Sequence, residues 1–259
     1  MLACPKCDAC SASRMPTPQA LDNYYARYYA ASDRRVTMGE PRRFARHVAS
    51  FVSDLQNRAA LRILDFGGGD GSLAVAIVKQ VCRMAGETIP AAIDIVDYEA
   101  PVRVAEDGIA VVHHRELKDI RGTYDLILAS AILEHIPDAH AAVSRLVAAA
   151  VAGTFMYART PFILPIAQML NTVDMTYPAH VHDMGCVFWG KFIQTFSLSA
   201  DLVRSAPSLI ETGLQEAPLR TILAYVLKLP ARLELGLQKA GSLPKWKLVG
   251  GWEAVIRFR

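Results

Sequence analysis

Ile63-Leu64-Asp65-Phe66-Gly67-Gly68-Gly69-Asp70-Gly71 is the stretch whose reading decides the fold. Its first four residues are apolar except for one carboxylate, the pattern of a short strand buried on both faces, as in a parallel sheet. Glycines then alternate at 67, 69 and 71. Such a loop turns sharply from strand to helix, and glycine permits both the positive φ angles and the close backbone approach that the turn needs. Open α/β sheets bind ligands in the crevice beyond the carboxyl ends of their strands, where this loop would sit.

Outward from the loop, strand and helix patterns alternate. The predicted strands are Leu61–Phe66, Ala91–Val96, Ile109–His113, Tyr124–Ala129 and Gly153–Ala158, with helices at Leu73–Met84 and Ala139–Ala150 among them. Near-continuous apolar strands separated by helices predict an α/β fold with a mostly parallel sheet covered on both faces. Upstream, Thr17 is a candidate cap for a helix with Pro18 in its first turn, and Tyr25, Tyr28 and Tyr29 would share a face of it. A second helix is expected over Pro41–Gln56. Downstream, helices are expected at Phe188–Phe196 and Leu219–Leu237, and the alternation from Trp252 to Arg259 reads as a last strand with one buried face.

The bulk composition narrows the function classes. The 259 residues suit one α/β domain with small additions, and 52% hydrophobic with 20% charged residues is a globular balance. A net charge of +3 without a basic block gives no case for a nucleic-acid partner. MLACPKCDAC lacks the basic start and apolar core of a leader, and the apolar runs Leu146–Ala158 and Pro161–Leu170 are too short to span a bilayer. A cytoplasmic protein without stable membrane insertion is expected.

The loop's spacing and charge select its ligand. A dinucleotide fingerprint reads G-x-G-x-x-G and offers a helix N-terminus to a pyrophosphate. Here the spacing is D-x-G-x-G-x-G, with acids at 65 and 70. Acids repel a pyrophosphate and attract the ammonium of an amino-acid moiety, which favours S-adenosylmethionine (SAM) over a nicotinamide dinucleotide. The strand Ala91–Val96 leads to Asp97, a candidate acceptor for ribose hydroxyls, with Asp94 inside the strand as the alternative. Tyr98 could cover the adenine. Glu116 could approach its edge or stand as a solvated loop acid. Tyr124-Asp125-Leu126-Ile127-Leu128-Ala129-Ser130-Ala131-Ile132-Leu133-Glu134-His135-Ile136 adds an apolar strand, a small-residue turn at Ser130 and an acid–histidine pair.

Together these motifs resemble the class I SAM-dependent methyltransferases over about Leu61 to Pro161. The resemblance implies a Rossmann-like fold, a seven-stranded and mostly parallel sheet with an antiparallel last strand. It also implies that Asp65, Gly67, Gly69 and Gly71 hold the methionine end of SAM, Asp97 the ribose, with Glu116 and Leu117 near the adenine and Ser130 at the site. The product would be S-adenosylhomocysteine (SAH). Residues 1–35 read as a lead-in and 36–259 as the methyltransferase domain, with the cofactor half at about 58–160 and a substrate region at about 161–245. The lead-in, Cys4-Pro5-Lys6-Cys7 then Met15-Pro16-Thr17-Pro18 and the tyrosines, resembles the zinc knuckle before some bacterial glycan and secondary-metabolite methyltransferases. A tetrahedral zinc site needs four ligands, and only Cys4, Cys7 and Cys10 are present, so no zinc is expected there.

For the acceptor, Tyr177-Pro178-Ala179-His180-Val181-His182-Asp183 follows the fifth strand. His180 and His182 could share one face of an extended segment as general bases, with Asp183 orienting an imidazole, or they could cap a turn. Without a third clear ligand this group is not expected to bind metal. Glu134, His135, Arg159 and Thr160 are further pocket candidates. Leu219–Leu237, apolar around most of its circumference, suits a packed core helix or a self-association face, hence a homodimer. The expected activity is methyl transfer to a small-molecule acceptor such as a sugar nucleotide, glycan or secondary metabolite. The rivals are a non-catalytic binding or assembly module and a nicotinamide-dependent oxidoreductase.

Overall fold

The computed structural model describes residues 1–31, 41–98, 107–169, 177–208, 218–237 and 244–259. In chain order the elements are β1 (Leu2–Ala3), β2 (Cys10–Ser11), α1 (Pro18–Ala31), α2 (Pro41–Ala49), β3 (Leu61–Phe66), α3 (Ser72–Ala85), β4 (Ala91–Val96) and β5 (Ile109–His114). There follow β6 (Tyr124–Ser130), α4 (Ala139–Ala148), β7 (Ala150–Phe162), α5 (Leu164–Met169), β8 (His182–Asp183), α6 (Cys186–Thr195), β9 (Ala200–Pro207), α7 (Pro218–Leu237) and β10 (Gly250–Phe258).

Seven strands form one sheet in the order β5-β4-β3-β6-β7-β10-β9. The run from β5 to β7 is parallel, and β10 is antiparallel to both of its neighbours. The alternation along the strands sorts side chains into two cores. Ile63, Leu126, Leu128, Phe155, Tyr157 and Val255 face α2 and α3. Leu64, Ile127, Ala129, Met156, Ala158 and Trp252 face α4 and α6. The sheet is therefore covered on both sides, as its apolar strands require. This is the Rossmann-like methyltransferase architecture expected from the sequence.

Several elements depart from expectation. The helix from Pro41 stops at Ala49, and a 3-10 turn takes over at Ser53–Asn57. Ser50 Oγ donates to the His47 carbonyl at 2.7 Å, a local bond that competes with the helical ladder. Strand β9 carries no clear alternation because it lies at the sheet edge. Helix α7 is not a packed core helix: Ile222, Leu223, Val226, Leu229 and Leu233 are all more than half exposed. It is tied down by the buried Lys228, whose Nζ donates to the Ser208 carbonyl at 2.7 Å. Among the described residues, no helix is long and apolar enough to cross a membrane.

The lead-in is stitched to the body. Strands β1, β2 and β8 form a small antiparallel sheet, and the Ala12 N–H donates to the Val181 carbonyl at 2.7 Å. Thr17 Oγ1 accepts from the Ala20 N–H at 3.3 Å, the cap expected for α1. The side chains of Tyr28 and Tyr29 lie outside the described residues.

Candidate active site

The glycine loop joins β3 to α3, and Gly67, Gly69 and Gly71 all take positive φ, at 75°, 54° and 67°. At Gly67 a Cβ would come within 2.6 Å of the Ile132 side chain, and at Gly68 within 2.5 Å of the Asp65 carboxyl. The loop is thus pressed between its own acid and the turn after β6, with no space for a larger residue. Asp65 is buried at the end of β3. Asp70 Oδ1 accepts from the Ser72 N–H at 3.0 Å and so starts α3, whose preceding residue is the capless Gly71.

Asp97 and Asp94 separate clearly. Asp97 lies just beyond β4, where one oxygen accepts from the Gly69 N–H at 2.7 Å and the other from the Tyr98 N–H at 2.7 Å. It braces the glycine loop from the neighbouring strand end. Asp94 is spent inside the sheet, on His114 Nε2 at 2.6 Å and the Tyr124 hydroxyl at 2.9 Å. Tyr98 is partly exposed, with the Arg115 guanidinium 5.5 Å from its ring centre. Glu116 turns to solvent and pairs with Lys118 at 2.7 Å, while Leu117 packs on the core. Ser130, at the carboxyl end of β6, has a buried Oγ with no hydrogen-bond partner among the described residues. An orphaned hydroxyl beside a glycine cradle that a Cβ would fill fits a polar ligand lying across the ends of β3, β4 and β6.

The acceptor-side histidines part company. His182 Nε2–H donates to the Ile136 carbonyl at 3.0 Å, leaving Nδ1 to accept from the Ser11 hydroxyl at 2.8 Å. Asp183 does not orient an imidazole. Its carboxylate accepts from the N–H groups of Ile163 and Leu164, at 3.0 and 2.5 Å, and so caps α5. Burial pushes its pKa up to about 6, against those two donors. His182 and Asp183 therefore hold chain segments together. Thr160 likewise donates to the Met184 carbonyl.

His180 instead meets Glu134 and His135. The His135 and His180 ring centres are 4.6 Å apart. His135 Nδ1–H donates to the Ala179 carbonyl at 2.9 Å, which turns Nε2 toward Glu134 Oε1, 4.0 Å away. Burial, then the neighbouring His180, pushes the His135 pKa down to about 4, so its imidazole is neutral at pH 7. Tyr25 of α1 reaches over this group, with its ring 6.5 Å from His135 and 6.3 Å from Tyr98. In the sequence nothing links Glu134 and His135 to His180, because the Val181 N–H to Glu134 carbonyl bond that joins the two segments leaves no local pattern. A cavity at the opposite, amino-terminal edge of the sheet, lined by Arg62, Pro90, Ala91 and Gly108, lies away from all these groups.

With that geometry in place, likeness to known proteins becomes informative. Residues 38–199, more than half of the chain, match the family described as "Methyltransferase domain". The chain belongs to this methyltransferase family. Its fold is the Rossmann-like fold of solved methyltransferases. It is 29% identical over 165 residues to the "Ubiquinone biosynthesis O-methyltransferase" of Hahella chejuensis (strain KCTC 2396), an alignment covering 59% of this chain and 66% of that relative, just under two thirds of its length. The fold is shared with the plantazolicin methyltransferase BpumL, solved with a triazolic desmethylPZN analog and SAH. That likeness has a TM-score of 0.51 at 13% identity and covers 93% of this chain and 92% of the other. Magnesium protoporphyrin IX methyltransferase (ChlM) from Synechocystis PCC 6803, with bound SAH, gives a TM-score of 0.50 at 11% identity, covering 93% and 95%.

Proposed function

We propose that this methyltransferase moves the methyl group of SAM to a small-molecule acceptor and releases SAH. The observation that carries the reading is the acid–glycine loop at the end of β3, braced by Asp97 through Gly69 and facing the orphaned Ser130 hydroxyl. SAM supplies an electrophilic methyl on a sulfonium. Asp65 sets a negative charge beside the loop for the ammonium of the methionine end, Gly67, Gly69 and Gly71 let it lie against the backbone, and Asp97 with Tyr98 faces the nucleoside. Glu116, turned to Lys118, would reach the adenine only by leaving that pair. On the acceptor side, His180 with its neighbour His135 is the pair placed to act on the acceptor, because His182 and Asp183 are committed to backbone groups. Displacement at a methyl group is in-line, so much of the rate comes from positioning.

The acceptor class follows from likeness. Relatives named for ubiquinone biosynthesis, plantazolicin and magnesium protoporphyrin IX support a small organic molecule. A sugar nucleotide, glycan or secondary metabolite is the narrower reading from the lead-in. The domain boundaries at about 35, 160 and 245, the cytoplasmic location and a homodimer through the exposed face of α7 belong to the same reading. A non-catalytic module would keep the fold without this loop, since nothing in folding alone asks for Asp65 beside three glycines of positive φ.

Calorimetric titration with SAH, and with NADH alongside, tests the proposal. Micromolar SAH binding with none of NADH is expected. Asp65→Ala should weaken SAH at least tenfold while the protein stays folded, since a charge-assisted contact contributes about 1.5–3 kcal/mol. Affinity within twofold of wild type would sink the assignment of Asp65.

A further inference from the structure

Glu134, His135 and His180 each offer one ligand atom, and the three atoms lie within 4.8 Å of one another. We propose that these residues form a three-ligand site for a divalent transition cation, zinc foremost, beside the cofactor loop. Two imidazoles and a carboxylate are a donor set that such ions take, and three protein ligands leave a fourth position open, the arrangement of catalytic rather than structural zinc.

The surroundings already hold the ligands in the manner of a metal site. A ligating histidine commonly donates its other ring N–H to a carbonyl or carboxylate, which fixes the tautomer and aims the lone pair. His135 does this through Nδ1–H to the Ala179 carbonyl, one residue before His180, so a single backbone turn orients one ligand and carries the next. The Val181 N–H bond to the Glu134 carbonyl, at 2.8 Å, clamps the second segment to the first from the other side of His180. Glu134 is buried, while His135 and His180 are partly open, so the free position faces out of the protein body. Ligand atoms around tetrahedral zinc stand roughly 3.3–3.6 Å apart, given bonds of about 2.0–2.2 Å. Binding would draw the three ligand atoms inward from their present separations of up to 4.8 Å.

The site borders the cofactor loop, because Ile132, two residues before Glu134, is the side chain that a Cβ on Gly67 would strike. Its use rests on the methyl-transfer reading above. A hydroxyl of the acceptor taking the open position would lose its proton to water more readily, since a bound cation lowers the pKa of an oxygen ligand. That oxygen's lone pair then forms the bond to the methyl carbon, the carbon–sulfur bond breaks, and its electron pair returns to sulfur, leaving SAH as a neutral thioether. The cation thus selects an oxygen acceptor and replaces a histidine base.

The test uses the full chain without an affinity tag, stripped of metal by chelator. Cobalt(II) and zinc titrations are read by visible absorption and calorimetry, with SAH affinity measured on the same samples. One equivalent should bind per chain with a visible cobalt spectrum of nitrogen and oxygen ligation. His135→Ala and His180→Ala should each weaken it at least a hundredfold, while His140→Ala, at an exposed histidine of α4, leaves it within threefold. Unchanged binding in both site variants, or no stoichiometric binding by wild type, would overturn the proposal. An intense thiolate-to-cobalt band would also overturn it by moving the ion to Cys4, Cys7 and Cys10, and this readout holds even where a variant fails to fold. SAH binding without metal would leave the methyltransferase reading standing and remove only the cation. Metal binding without SAH would do the reverse.

Discussion

At Gly67 the backbone holds φ at 75° and an added methyl would stand 2.6 Å from Ile132. Gly67→Ala should therefore cost about 1–3 kcal/mol of stability, the range for a side chain forced into a strained region, and weaken SAH tenfold or more, read by urea melts and calorimetry. Asp94, inside β4, and Asp97, just beyond it, make a second comparison. Asp94→Asn leaves one acceptor oxygen for His114 and Tyr124 together and should lower stability while SAH affinity stays within threefold. Asp97→Asn leaves one acceptor oxygen for the Gly69 and Tyr98 N–H groups together and should do the opposite, with most of its effect on SAH. Equal effects on affinity would reverse the choice between them. The sequence alone left that choice open, since both acids lie near a strand end and only the partners across the sheet separate them.

Among the elements, the glycine loop, the parallel strands and α3 were legible because apolar runs and glycine spacing are local signals. Strand β9 was not, because an edge strand half in solvent lacks a two-residue period, and β8 is too short to hold a pattern. The interior of β10 also carries a charge that alternation would place outside. Glu253 is fully buried, where His47 Nε2 at 2.8 Å, Arg204 Nε at 2.8 Å and the Tyr157 hydroxyl at 3.0 Å surround it. Burial would raise its pKa, but the His47 and Arg204 contacts outweigh it and hold the carboxyl below the usual range. Glu253→Ala should cost about 3–5 kcal/mol in urea melts, since it strips a buried network of its centre. Asp183 has the opposite sign. Its pKa is raised from 3.8 to about 6, so the folded state binds the proton more tightly, and the favourable contribution is complete below the unfolded pKa and lost as pH rises through 6. Between pH 7 and pH 4, wild type should gain up to about 3 kcal/mol over Asp183→Asn, at about 1.4 kcal/mol per unit. A flat difference across that range would show that the carboxyl titrates as an ordinary aspartate.

For the molecule as a whole, the small sheet is where the two ends of the reading meet. β2 comes from the lead-in and β8 from the acceptor side, and their pairing is reinforced by Ser11 on His182 and by Ala12 on Val181. The Asp8 carboxylate also pairs with Lys247, shortly before β10. The cofactor loop draws support from β4 and β6, through Asp97 and Ile132. These two supports are separable. Deleting residues 1–13 should speed hydrogen exchange across 177–185, because that segment loses β2 and the Ala12 donor, and should weaken cation binding at His180 tenfold or more. Peptides covering 61–98 should exchange as in wild type, and SAH affinity should stay within threefold. If exchange instead rises evenly across both regions, the lead-in supports the whole fold, and its link to the acceptor side carries no separate role.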